Sequence, residues 1–85
     1  MNTVQVTMEL PRGVLSALRK EPAAFVADMR LTAAVKWYEL EMISQAKAAE
    51  IAGLSRAEFI RALERFGVSP FQSSLDDLLE ESKVD

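Results

Sequence analysis

The sequence predicts a mainly α fold: one N-terminal β-strand, paired in trans in a dimer, followed by a helical bundle that contains a helix-turn-helix. Three observations predict it. The first ten residues alternate apolar with polar, the apolar positions after Pro11 recur at helical spacing, and Gly53 separates two stretches that each open on a serine. At 85 residues the chain makes one small domain, placed at residues 1–70, with an acidic tail over 71–85. A core of this size is modest, and oligomerisation is the obvious further support.

Val4, Val6, Met8 and Leu10 are apolar, and Thr3, Gln5, Thr7 and Glu9 between them are polar, so the first segment reads as a strand with one buried face. No second segment of similar quality follows. The backbone groups of this strand therefore need a partner, and a second copy of the chain is the simplest one, with Val4, Val6 and Met8 at the dimer strand. The alternative is an intrachain pair with residues 68–72. Pro11 then stops the strand and opens a short helix in which Val14, Leu15 and Leu18 share a face, ending before Pro22. Pro22 suits the first turn of a longer helix carrying two apolar stripes: Phe25, Met29, Ala33 and Trp37 on one, Leu31, Ala34, Val35, Tyr38 and Met42 on the other. So wide a band predicts a central helix packed against several neighbours, with Trp37 and Tyr38 as core residues.

The stretch from Ser44 to Val68 carries the functional expectation. Ser44 caps a helix over Gln45–Ala52, and Gly53 ends it in the left-handed conformation that glycine adopts cheaply. Ser55 caps the next helix, and Glu58 three residues on completes a capping box. Ala48, Ala49 and Ala52 are small enough for a close helix crossing, and Leu54, Phe59, Ala62 and Leu63 supply the apolar surface that locks it. That leaves Ser55, Arg56, Ala57, Ile60, Arg61 and Glu64 facing outward. The N-terminal end of such a helix meets base edges in the major groove. Arg56 and Arg61 are candidates to read guanine or grip phosphate, and Ser55 and Ala57 lie at the same end. Gln45 and Lys47, opening the preceding helix, are candidates to hold the DNA backbone. Glu64 would repel phosphate and Ile60 offers only a thymine-methyl contact, so the same face also suits a protein.

Composition narrows the classes of function. There is no cysteine and no histidine, which removes disulfides, thiolate or imidazole metal sites and the mechanisms that use those groups. Carboxylates and arginines alone rarely make an active site at this size, so no enzyme, metal or cofactor is expected. Net charge is −3, but residues 1–70 hold nine Lys or Arg against eight Asp or Glu. The acidity belongs to the tail, and a near-neutral body still binds DNA through local arginines. No apolar run approaches the roughly 20 residues that cross a bilayer, and the N-terminus lacks signal-peptide order, so the expected compartment is the cytoplasm.

In the tail, Ser74 caps a short stretch in which Leu75, Leu78 and Leu79 form one apolar face opposite Asp76, Asp77, Glu80 and Glu81. One reading is a solvated, frayed end. The other is a helix that folds on docking its leucines into a protein groove. The strand also has a competing role, since a polar-faced strand before two helices is the layout of ribbon-helix-helix repressors, with Thr3, Gln5 and Thr7 reading bases. Glu9 opposes phosphate there, and the helix-turn-helix has the better spacing.

Trp37-Tyr38-Glu39, Ile43-Ser44, Lys47-Ala48-Ala49, Gly53-Leu54-Ser55-Arg56, Glu58-Phe59 and Gly67-Val68 together resemble the uncharacterised protein family zero-one-seven-five. Its members are small prokaryotic proteins regarded as antitoxin-like, often encoded beside PIN-domain nuclease toxins. The chain departs from the family pattern at Glu41 and Ala46, where glycine is usual. The resemblance implies a DNA-binding antitoxin that represses its own operon and neutralises a protein toxin. A protein-only interaction module is the alternative, in which Ile60, Glu64 and the tail meet a partner and no DNA is bound.

Overall fold

The computed structural model describes residues 3–71 and is mainly helical, with four helices among them. Helix α1 spans Val14–Leu18, α2 Pro22–Glu39, α3 Gln45–Ala52 and α4 Arg56–Arg65. Pro22 stands at the first turn of α2, where its missing N–H costs nothing. None of the described helices is long and apolar enough to cross a membrane.

Each of the four helices ends in the same way. One or two residues past the helix the backbone turns left-handed, and the N–H of that residue and of the next reach back to the last carbonyls, the Schellman arrangement. Arg19 does this for α1, Glu41 for α2, Gly53 for α3 and Gly67 for α4, with φ of 57°, 61°, 74° and 70°. For α2 the bonds are Glu41 N to Tyr38 O and Met42 N to Trp37 O, both 2.9 Å. For α3 they are Gly53 N to Glu50 O, 3.1 Å, and Leu54 N to Ala49 O, 3.0 Å. Two of these turns use glycine. The other two hold a side chain in a conformation that costs a non-glycine residue about 1 kcal/mol.

The core forms where α3 packs between α2 and α4. Helix α2 contributes Ala34, Val35 and Tyr38, α3 contributes Ala48, Ala49 and Ala52, α4 contributes Phe59, Ala62 and Leu63, and Val68 closes it from the turn beyond. The alanines of α3 let both neighbours approach, as their spacing predicts. Tyr38 and Phe59 meet edge to face, ring centroids 6.1 Å apart and planes at 86°, joining α2 directly to α4.

The single chain departs from the sequence reading in the N-terminal arm and at Trp37. Val4, Val6 and Met8 are 83%, 78% and 56% exposed, and residues 3–10 take no part in a strand ladder among the described residues. No backbone hydrogen bond joins them to residues 68–71 either, so the intrachain alternative is not realised there. Among the described residues of a single copy nothing pairs with this edge, and a lone strand is not stable in water. Trp37 is likewise not a core residue, being 41% exposed. The buried residues of α2, Ala34, Val35 and Tyr38, all lie on one of its two stripes. Phe25, Met29 and Ala33, which share the Trp37 stripe, are half-buried. Leu75, Leu78 and Leu79 lie outside the described residues.

Candidate nucleic-acid interface

Helix α3, a three-residue turn and helix α4 follow from local chemistry. Ser44 Oγ accepts from Lys47 N at 3.1 Å and starts α3. Gly53 ends it, and Leu54 packs back against the core. Ser55 Oγ then accepts from Glu58 N at 3.1 Å, while Glu58 Oε1 accepts from Ser55 N at 2.8 Å, the reciprocal capping box. The backbone bond from Ser55, helped by the Ser55 hydroxyl and then the Arg61 charge, holds the Glu58 carboxyl below the usual carboxylate range. Arg30 on α2 braces the turn, its Nε donating at 2.7 Å to the Ile51 carbonyl in the last turn of α3. The same guanidinium would stand 3.3 Å from a Cβ placed on Gly53, so that position is tight as well as left-handed.

Burying Phe59, Ala62 and Leu63 orients α4 and leaves Ser55, Arg56, Ala57, Arg61 and Glu64 exposed. Ile60, expected outward, is half-buried; it stands beside the inward stripe, next to Phe59 and one turn before Leu63. Lys47 is half-buried, and its Nζ lies 3.7 Å from Glu50 Oε1, a surface pair of small energetic weight. The hydroxyl of Ser55 accepts in the capping box yet keeps its proton to donate.

Gln45 differs from the expectation of a side chain held out to the DNA backbone. It is 3% exposed and its amide is engaged inside the protein. Nε2 donates to the Pro70 carbonyl at 2.8 Å and to Tyr38 Oη at 3.4 Å, and Oε1 accepts from Arg56 Nε at 2.7 Å. Tyr38 Oη donates to the same Pro70 carbonyl at 2.8 Å. A long-range network thus fills a position that sequence spacing assigns to solvent.

Sequence reasoning also passed over Arg65. It follows Arg61 by one helical turn, and with Leu54, Glu58, Arg61 and Ala62 it lines an open groove along α4. The four-residue spacing was the available signal. Arg30 had none, because its partner lies 21 residues away.

The geometry defines a small, mainly helical protein built around a capped helix, a tight glycine turn and a second helix with exposed arginines. Residues 1–84 match the uncharacterised protein family UPF0175, and the chain belongs to that family. A UPF0175 protein from Aeropyrum pernix is 32% identical over 80 residues, covering 94% of this chain and 84% of the relative. No solved structure matches the chain.

Proposed function

We propose that this chain is a DNA-binding regulator of the antitoxin type, not an enzyme, acting as a homodimer in the cytoplasm. The N-terminal end of α4 enters the major groove, with Arg56 and Arg61 as principal contacts and Ser55, Ala57 and Lys47 beside them. The tail engages a cognate protein toxin, of the PIN-domain nuclease type that the family resemblance implies, and the dimer represses its own operon. One observation carries the reading: the chain breaks at Gly53 and buries Phe59, Ala62 and Leu63 in a way that leaves both arginines in solvent. The N-terminal residues pair in trans, Val4, Val6 and Met8 of one copy beside those of the other. Their exposure in the single chain supports this, as does the exposure of Leu18, Val26 and Trp37.

A gel shift with the DNA upstream of its own gene, at two salt concentrations, tests the reading. Affinity should fall steeply with salt, by about 0.9 in log–log slope for each phosphate neutralised. Arg61→Glu should abolish the shift. Failure of the unaltered chain to bind any fragment at low salt would count against DNA recognition altogether. In that event the alternative gains, a protein-only module for which Arg61→Glu is silent and Leu78→Asp breaks partner binding. The half-buried Ile60 and exposed Glu64 on α4 are what favour it.

A further inference from the structure

An arginine can only donate hydrogen bonds, and a backbone carbonyl can only accept them. A side chain that satisfies one of each from a buried position must carry a donor and an acceptor on one planar head, and glutamine does. Gln45 faces Arg56 with its oxygen, 2.7 Å from Nε, and faces the Pro70 carbonyl with its nitrogen, at 2.8 Å. The amide therefore cannot turn over without putting nitrogen against guanidinium and oxygen against carbonyl. Tyr38 Oη reinforces the arrangement by bonding both Gln45 Nε2 and the Pro70 carbonyl.

Arg56 is the first residue of α4 and is exposed, a setting in which a long side chain ordinarily samples many rotamers. Its Nε is instead tied to a group that is itself locked in the core. Held at Nε, the guanidinium has its direction set before any ligand arrives, and a recognition residue oriented in advance loses less freedom on binding.

Resting on the DNA-binding reading above, we propose that Gln45 is a positioning residue: anchored on the Pro70 carbonyl, its buried amide presets Arg56 for base reading and so governs sequence discrimination without touching DNA. The substitution Gln45→Met keeps length and apolar bulk while removing the amide's hydrogen bonds to Pro70, Tyr38 and Arg56. It lowers affinity for the cognate fragment by about five- to a hundredfold, the range one good base contact carries, and leaves affinity for unrelated DNA nearly unchanged. Because the loss runs through Arg56, Arg56→Ala costs clearly less discrimination in the Gln45→Met background than in the unaltered chain, a non-additive double-mutant cycle. Val35→Ala, a core truncation on α2 outside this network, serves as the control for lost stability and retains the discrimination ratio.

A second measurement needs no DNA. In NMR spectra of arginine side chains, the Arg56 Nε–H exchanges slowly with water in the unaltered chain, and Gln45→Met brings its exchange up to that of Arg61. An additive cycle, or a fast-exchanging Arg56 Nε–H from the outset, overturns the positioning role while DNA binding stands. A discrimination ratio that falls equally in Val35→Ala overturns it too, by reducing Gln45 to a stability residue. No DNA binding by the unaltered chain overturns the functional reading, and the role of Gln45 in discrimination goes with it.

Discussion

Residues 34–70 and residues 3–33 are both rich in apolar side chains, yet they solve the burial problem differently. In the later region, Ala34, Val35 and Tyr38 of α2 meet the alanines of α3, Phe59 and Leu63 of α4, and Val68. In the earlier one, α1 contributes no buried residue, the arm before it is exposed, and the first turns of α2 offer only half-buried Phe25, Met29 and Leu31. Helix α2 runs through both. Its apolar residues lie on more than one side, and among the described residues only the side carrying Ala34, Val35 and Tyr38 is fully buried. Apolar spacing and end chemistry suffice to form a helix, whereas a core requires a second surface of matching shape.

The contrast is broken most forcefully from the compact side. Phe59→Ala removes a fully buried ring together with its edge contact to Tyr38, and the expected loss is about 3–5 kcal/mol, enough to unfold a domain this small. Phe25→Ala, the same chemical change in a half-buried site on the other region, should cost about 1 kcal/mol in the monomer. Chemical denaturation of the two variants side by side measures the difference. Equal losses would show that the earlier region is packed as tightly as the later one.

The next largest effect concerns what covers the arm. In the proposed dimer, Val6→Asp sets like charges close together across the paired strands and buries them, so sedimentation equilibrium should show the variant monomeric where the unaltered chain is dimeric. Circular dichroism should retain the helical signal, because α2 to α4 carry the core. A monomeric unaltered chain at every concentration would remove the dimer, and the apolar arm would then need another partner.

What was legible in the sequence follows the same division. Ser44, Gly53, Ser55 and Glu58 act on backbone groups within a few residues of themselves, so the capped helices and the turn between them could be read locally. The inward positions of α4 follow from helical periodicity. Trp37 and Tyr38 could not be told apart, because both lie on apolar stripes and only the placement of α3 decides which stripe is covered. Gln45 was read as solvent-facing for a related reason. Its partner at Pro70 is 25 residues away, and a polar residue at a helix start gives no local sign that a carbonyl will arrive to receive it.

Glu41 lies in the later region, in the turn between α2 and α3, and sharpens the comparison at smaller energy. Its φ of 61° is the left-handed value that closes α2. Glu41→Gly relieves the Cβ clash but gives the unfolded chain more freedom, so the net gain expected is at most about 0.5 kcal/mol. A small rise in the thermal midpoint would register it. A loss of stability would mean that the Glu41 side chain makes up for its own strain.

The smallest effect lies in the capping box and is seen only against pH. Glu58 is held below the ordinary carboxylate range by the Ser55 N–H, so the folded state binds its proton less readily than the unfolded one. Folding is therefore favoured by the ionised group. That contribution is complete above the unfolded value of about 4.3 and is lost as pH falls through the lower folded value. Glu58→Gln keeps an acceptor for Ser55 N but has no charge to titrate. Its stability should match that of the unaltered chain most closely at the acid end and fall behind as pH rises past the carboxylate range. Because the group is exposed, the gap is small, and thermal melts across the acid range at fixed ionic strength are needed to resolve it. A constant gap at every pH would assign the worth of Glu58 to its hydrogen bond alone, and α4 would then start equally well in acid.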